Sequence, residues 1–156
     1  MVVEIYSKKA IVEKIEKEDI RDAAVISFYT PKHNRRGGER VDYFGACERV
    51  FYVSIPDIDI DVLGDYGYTY DTYFSENEEL ARFIYNAVKE KRRIICQCDY
   101  GQSRSAACAA AILQHFCGRG IDVFADYRYY PNQLVYHKVM EGLLKIRDEV
   151  DNTKNK

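Results

Sequence analysis

Residues 93–117 of the chain read RIICQCDYGQSRSAACAAAILQHFC. The apolar run at 93–97 is typical of a short strand that is buried on both faces of a sheet. After a loop, the small residues of 105–117 predict a helix able to lie close against that sheet, and Gly118 and Gly120 end it. The stretch therefore predicts a strand, a tight loop and a helix, the unit from which α/β domains are built.

The same alternation extends in both directions from this unit. Further strands are predicted at residues 2–6, 23–29 and 49–55. Further helices are predicted at residues 8–17 with Ser7 as cap, after a capping box formed by Ser75 and Glu78, and from Pro131 to about residue 148. Residues 121–130 are expected to be extended. The fold class that follows is α/β, with a mainly parallel central sheet covered by helices on both faces.

The composition limits the class of protein. The 156 residues, 47% hydrophobic and 31% charged, suit one globular domain, expected at residues 1–150 with a frayed polar tail at 151–156. A formal net charge of -2 provides no basic field for nucleic acid, and no apolar stretch is long enough for a membrane span. Five cysteines without a secretory signal favour free thiols in a reducing cytoplasm.

The loop after the central strand carries the strongest functional signal. Cys98 follows the strand directly, Gly101 permits a tight turn, and Arg104 precedes Ser105 at the start of the helix. A loop of this length can turn its backbone N–H groups inward, which makes an anion site beside the helix N-terminus and favours the thiolate form of a cysteine at its centre. Arg104 adds a fork suited to two phosphoryl oxygens, so the pattern predicts a nucleophile for attack on phosphorus.

The alternative interpretation of the loop is purely structural. Buried free cysteines are common, and Cys98 would then be one of them, with Arg104 an ordinary surface arginine. That interpretation suits Cys47, Cys96, Cys108 and Cys117 better than it suits Cys98. Cys96 and Cys47 stay open as disulfide partners of Cys98.

The segment CDYGQSRS at residues 98–105 resembles the active-site loop of the cysteine-dependent protein tyrosine phosphatases, and most closely the small dual-specificity-like members and their compact bacterial relatives. Pro131 and Asn132 resemble a helix start in the same proteins. The resemblance implies a phosphatase-like α/β fold, Cys98 as nucleophile, Arg104 as phosphate clamp and Ser105 as hydrogen-bond donor to the thiolate. It also implies that backbone N–H groups bind the substrate, and these belong to Asp99, Tyr100, Gly101, Gln102 and Ser103.

The sequence departs from the family pattern at Gln97, where the family usually has a histidine that orders the loop and favours the thiolate. The family also uses an aspartate from an earlier loop as general acid and base. The segment SIPDIDIDVLGD at residues 54–65 offers four candidates. Asp57 fits the family spacing best, Asp59 is second, and Asp61 and Asp65 remain.

The predicted function is hydrolysis of phosphomonoesters through a phosphocysteine intermediate, with no metal or other cofactor. The expected partner is a phosphorylated protein or a small phosphoester, with neither nucleic acid nor membrane bound, and phosphate, sulfate or vanadate is expected to occupy the loop. Phosphotyrosine, phosphoserine or phosphothreonine, inositol phosphates and phosphoinositides all fit such a loop. A rhodanese-type sulfurtransferase and a non-catalytic phosphoresidue-binding module are the alternatives.

Two neighbouring segments have open interpretations. The tyrosines at positions 66, 68, 70 and 73 either form a lid over the substrate or anchor their loop to the body of the protein. The loop at residues 30–40 is basic and either meets an acidic substrate or is simply solvated.

Overall fold

The computed structural model describes residues 1–32 and 38–155. Its centre is one sheet of four strands in the order β1-β4-β2-β3, and every neighbouring pair is parallel. The strands are β1 (Val3–Ser7), β2 (Ala23–Tyr29), β3 (Val50–Ser54) and β4 (Arg93–Cys98). The predicted α/β fold with a parallel sheet is confirmed.

The register of the sheet brings the strand ends together. Ser7 pairs with Cys98, and Ser27 pairs with Gln97, so β1, β2 and β4 finish side by side. The interior of β2 and β4 is buried on both faces, as their continuous apolar runs predict. Because parallel strands all end at the same edge, side chains that follow Ser7, Tyr29, Ser54 and Cys98 share one edge of the sheet.

Five helices complete the described fold: α1 (Lys8–Lys17), α2 (Asn77–Lys89), α3 (Arg104–Cys117), α4 (Ile121–Phe124) and α5 (Gln133–Lys154). Ile11 of α1 packs with Val25 and Ile95 in one cluster, whereas α2, α3 and α5 contribute to a larger cluster that holds Ile26 and Cys96. The two clusters place helices on both faces of the sheet, as the sequence predicts. None of the described helices is long and apolar enough to span a membrane.

The helix ends differ from the sequence prediction in part. Ser7 caps α1 by accepting a bond from the Ala10 N–H at 3.0 Å, as predicted. The predicted capping box at Ser75 is wrong, because α2 begins after Glu76 and the Ser75 hydroxyl bonds the Glu76 carboxylate instead. Glu76, with non-helical backbone angles of φ -89° and ψ 19°, stands at the cap position, so Ser75 lies one residue before it.

The carboxyl-terminal third also departs from the prediction. Residues 121–130 are not extended, because α4 and a series of turns fold there, and Val123 buries itself against Ala106 and Ala110 of α3. The last helix begins after Asn132, whose side chain accepts a bond from the Val135 N–H, so Pro131 lies outside it. Residues 151–154, predicted to fray, continue α5.

Candidate active site

Residues 98–104 run from the last residue of β4 to the first residue of α3, and we call this segment the cradle loop. Three backbone N–H groups from outside the loop bond its carbonyls: Lys8 to Asp99 at 3.1 Å, Tyr130 to Gln102 at 2.8 Å and Asn132 to Ser103 at 3.2 Å. In a trans peptide the N–H points opposite to the C=O, so these three peptide units turn their N–H groups away from the surrounding protein. The N–H groups of Tyr100, Ser103 and Arg104 therefore form a row of donors that is suited to an anion.

Gly101 makes the tight path of the cradle loop possible. Its φ is +67°, which is unfavourable for a residue with a side chain, and a Cβ there would lie 2.5 Å from the Ser7 backbone nitrogen. The loop thus closes directly over the end of β1, which only glycine permits.

Cys98 lies at the base of the cradle loop. The residue is 2% exposed, and its Sγ is 3.0 Å from the Oγ of Ser105, which is fully buried at the start of α3. A hydroxyl in this position can donate a hydrogen bond to a thiolate. The structure places Ser105 beside Cys98, next to the row of N–H groups.

The other thiols have different surroundings. Cys96 is fully buried beside Cys108, and the interaction with Cys108 together with burial raises the pKa of the Cys96 thiol well above its usual value. Cys47 bonds the Ala23 carbonyl, at the start of β2, where Ala23 pairs with Arg93. Five strand residues at about 3.3 Å each separate that position from Cys98, and a disulfide needs Cα atoms within about 7 Å. Cys47 is therefore not a disulfide partner of Cys98.

Arg104 is held in a defined orientation, with only 3% of its surface exposed. Its Nη1 donates to the Ile55 carbonyl at 2.7 Å and to the Thr30 hydroxyl at 3.1 Å, and its Nη2 donates to Asp99 Oδ2 at 3.1 Å. The guanidinium is thus held at the edge of the sheet by the residues that directly follow β2 and β3 and by the cradle loop.

The side chain of Gln97 is buried and hydrogen-bonded. Its Oε1 accepts hydrogen bonds from the Ser27 hydroxyl and, at 2.9 Å, from the Tyr43 hydroxyl. Burial raises the pKa of Tyr43 well above its usual value, so this phenol stays protonated and remains a donor. Gln97 stands where the phosphatase family that the loop resembles usually has histidine. In this chain its side-chain amide is held by a tyrosine and a serine.

Asp57 is the carboxylate that reaches the cradle loop. Its Oδ1 accepts hydrogen bonds from the Ser103 hydroxyl and from Asn132 Nδ2, both at 2.8 Å. Asp59 instead accepts a bond from the Ile60 N–H and begins a short 3-10 turn at Ile60–Val62. Asp61 and Asp65 are exposed in and beside that turn. Of the four candidates, the geometry favours Asp57.

Sequence reasoning missed several side chains at this site. Asn132 bonds the Ile58 carbonyl and Asp57 with one nitrogen while its oxygen caps α5, and its only sequence signal is the helix start that it shares with Pro131. Thr30, Ser27 and Tyr43 carry no signal at all, because each lies at least 54 residues from the partner that it bonds.

A cavity of about 330 Å³ adjoins the cradle. Its wall includes Thr30, which bonds Arg104, and Pro56, which follows Ile55, another partner of Arg104. Lys32, Tyr66 and Tyr68 also line the cavity. The tyrosines of this segment have separate roles, since Tyr66 is exposed whereas Tyr73 is buried and donates to the Pro56 carbonyl at 2.8 Å. The basic loop predicted at residues 30–40 lies partly outside the described residues, at positions 33–37.

Comparisons with known proteins show which solved structures share this fold. No family model and no curated protein matches the chain. The structure of a human tyrosine phosphatase-like serine/threonine/tyrosine-interacting protein is 15% identical, with 86% of this chain and 83% of that chain covered and a TM-score of 0.54. PTPMT1 in complex with PI(5)P is 13% identical, with 96% and 94% covered and a TM-score of 0.54. A mutant form of Tk-PTP is 18% identical, with 94% and 92% covered and a TM-score of 0.52. The chain therefore has the fold of these phosphatase and phosphatase-like structures.

Proposed function

We propose that the chain is a phosphomonoester hydrolase that acts through a phosphocysteine intermediate. One observation carries the proposal: Cys98 and Arg104 belong to the cradle loop, and Asp57 accepts a hydrogen bond from Ser103 of the same loop. An anion site with a nucleophile at its base and a carboxyl group at its rim fits attack on a phosphate ester.

In the first step the Cys98 thiolate attacks the phosphorus atom. The S–P bond forms as the bond from phosphorus to the ester oxygen breaks, and the donor row and Arg104 stabilise the negative charge on the other phosphoryl oxygens. Protonated Asp57 gives its proton to the departing oxygen. Ser103 and Asn132 both bond Oδ1, so Oδ2 is the oxygen that carries this proton.

In the second step water replaces the thiolate. Ionised Asp57 takes a proton from the water as its oxygen attacks phosphorus, and the S–P bond breaks to release inorganic phosphate. Ser105 donates a hydrogen bond to the departing Cys98 sulfur, which favours the thiolate as leaving group. Both groups then stand in their starting state.

The cavity beside the cradle supports a protein phosphatase of the tyrosine or dual-specificity type. Its walls include Tyr66, Tyr68 and two prolines, and its charged residues, Lys32 and Asp65, balance. Such a lining suits the ring of phosphotyrosine, or an apolar residue next to it, better than a highly charged inositol polyphosphate. All five cysteines are free, which supports action in a reducing compartment such as the cytoplasm.

Rapid-quench hydrolysis of p-nitrophenyl phosphate tests the mechanism. The wild-type protein should release one equivalent of nitrophenol in a burst and carry phosphate on Cys98. Cys98→Ser should lose turnover while it still binds tungstate, and Cys117→Ser, at an exposed thiol, is the control that keeps turnover. Full activity of Cys98→Ser would reject the mechanism.

Assays on the wild-type protein distinguish the phosphatase from the alternative functions. Thiosulfate sulfurtransfer without phosphatase activity would identify a sulfurtransferase. Tight phosphopeptide binding without turnover would identify a binding module. A comparison of kcat/KM for a phosphotyrosine peptide, a phosphoserine peptide and inositol phosphates tests the substrate class, and the lining of the cavity predicts the phosphotyrosine peptide as the best of the three.

A further inference from the structure

We propose that the Asp99 carboxylate and the Thr30 hydroxyl are positioning residues that aim one edge of the Arg104 guanidinium at the phosphoryl group. The proposal rests on the proposed function and goes beyond it, because it gives the side chain of Asp99 a role separate from its backbone N–H. It also assigns a role to Thr30, which no motif includes.

The hydrogen bonds of Arg104 account for three of its five N–H groups. Nη1 uses both of its hydrogens, one on the Ile55 carbonyl and one on the Thr30 hydroxyl. Nη2 uses one hydrogen, on Asp99 Oδ2. Two N–H groups are left, the second of Nη2 and the single one of Nε.

These two N–H groups form one fork. Thr30 Oγ1 donates to Asp99 Oδ2 at 3.3 Å, so the two acceptors are in contact and lie along the same Nη1–Nη2 edge of the guanidinium. The adjacent Nε–Nη2 edge then presents parallel hydrogens, which is the geometry of a bidentate bond to two phosphoryl oxygens.

The burial of Nε indicates that this edge is built for a ligand. Within the described residues, Arg104 Nε is the one buried side-chain nitrogen or oxygen that has no hydrogen-bond partner. A buried donor without an acceptor is costly, and structures keep one only where something else satisfies it. A phosphoryl oxygen in the cradle would complete the set.

Asp99 fixes the orientation of Arg104, but its negative charge opposes the binding of an anion. Its carboxylate bonds the arginine that is proposed to attract the substrate, and so lowers the net positive charge of the cradle. The Arg104 side chain is 4% exposed and the Asp99 side chain is 36% exposed. Asp99 therefore lies on the solvent side of the pair. The carboxylate therefore fixes the fork and does not occupy its binding edge.

The first test compares Asp99→Ala with Asp99→Asn by tungstate titration in a calorimeter. Both donors address the same oxygen, Oδ2, so an asparagine oxygen can replace it. We expect Asp99→Ala to weaken tungstate binding about 10- to 100-fold, as the loss of hydrogen bonds to a charged group does. Asp99→Asn should recover most of that loss, and Asp19→Ala, which breaks an exposed pair with Arg21 before β2, should not change affinity.

Equal weakening in both Asp99 variants would overturn the positioning role, because an asparagine oxygen that keeps the acceptor would then restore nothing. Tighter binding in both would also overturn it, since the carboxylate would then be a competitor of the anion. Thr30→Val and Thr30→Ser form a second pair with the same logic, because the valine removes the hydroxyl with little change of shape and the serine restores it. Thermal melts of each variant show whether a loss of affinity follows a loss of folding.

A readout on Arg104 itself separates this proposal from the proposed function. The ¹⁵Nε–¹Hε resonance of Arg104, assigned from its disappearance in Arg104→Lys, reports whether the guanidinium is held. It should be sharp and protected from exchange with water in the wild-type protein and in Asp99→Asn, and broadened in Asp99→Ala. An unchanged resonance in Asp99→Ala rejects positioning, whereas a broadened one in a protein without hydrolytic activity supports positioning and rejects only the proposed function.

Discussion

The cradle loop and the segment at residues 56–73, which carries Asp57, leave the same edge of the sheet but are held by different kinds of bond. Backbone N–H groups of Lys8, Tyr130 and Asn132 fix the cradle loop through its carbonyls. The Asp57 segment is tied down by side chains, through the bonds of Asp57 with Ser103 and Asn132 and of Tyr73 with Pro56. Single side-chain changes should therefore loosen the Asp57 segment in steps, while the backbone path of the cradle loop should shift only where a substitution alters the backbone itself.

Gly101→Ala should have the largest effect, because it alters the backbone path of the cradle loop. The new Cβ would meet the Ser7 nitrogen at 2.5 Å, so the loop must shift by close to 1 Å. A displacement of that size costs about 100-fold in rate, and the distorted donor row should lose tungstate affinity as well. Steady-state hydrolysis and tungstate titration measure the two losses.

Gly118→Ala is the matched control for that change. Gly118 has the same φ of +67°, but a Cβ there meets nothing within 4 Å. It should cost about 1–2 kcal/mol of stability from backbone strain alone and leave hydrolysis unchanged. Equal losses of activity in the two variants would mean that strain, and not the contact with β1, explains the need for glycine.

Asp57→Asn should have the next largest effect and should act on turnover alone. The amide oxygen can still accept from Ser103 and Asn132, so position is kept while the transferable proton is lost. We expect kcat to fall about 100-fold with phenyl phosphate, whose leaving group needs the proton, and much less with dinitrophenyl phosphate. Tungstate affinity should stay near that of the wild-type protein.

Asp59→Asn tests the assignment of the acid. Asp59 bonds the Ile60 N–H in a short turn and lies outside the hydrogen-bonded site, so its variant should show no dependence on the leaving group. The reverse result, a selective loss with phenyl phosphate in Asp59→Asn, would move the acid two residues along the chain.

Substitutions of Asn132 should have the smallest effect, and they separate two roles of one side chain. Asn132→Ala removes the cap of α5, worth about 1 kcal/mol, together with the bond to Asp57. Asn132→Asp keeps a capping oxygen but places a like charge beside Asp57. We expect the melting temperature to recover in Asn132→Asp while kcat stays about 10-fold low in both variants, the size of one lost bond to a charged group. Recovery of kcat together with stability would reduce Asn132 to a helix cap.

Much of the fold was predictable because its signals are local. The continuous apolar runs of β2 and β4 predict buried parallel strands, and the small residues after Arg104 predict a helix packed close to them. The errors lie where tertiary contacts override local preference. Val123 draws residues 121–124 into a helix against α3, and Asn132 caps α5 in place of the start predicted at Pro131.

The sequence by itself determined the cradle loop, because a strand and a helix separated by five residues leave the chain one compact path. Cys98, Gly101, Arg104 and Ser105 lie on it or at its ends. The family spacing ranks Asp57 first among the aspartates, but only the tertiary structure shows which of them reaches the cradle loop. Their alternation at 57, 59 and 61 places them equally if the strand continues, and the turn at Ile60–Val62 breaks that pattern.

The remaining partners were decided by tertiary structure as well. Thr30 bonds Arg104 across 74 residues, Asn132 bonds Asp57 across 75, and Tyr43 bonds Gln97 across 54. Side chains this far apart in sequence meet because four parallel strands end at one edge of the sheet. The spacing of residues along the chain records which groups share a loop, whereas only the packing of the sheet and α5 determines which distant groups complete the site.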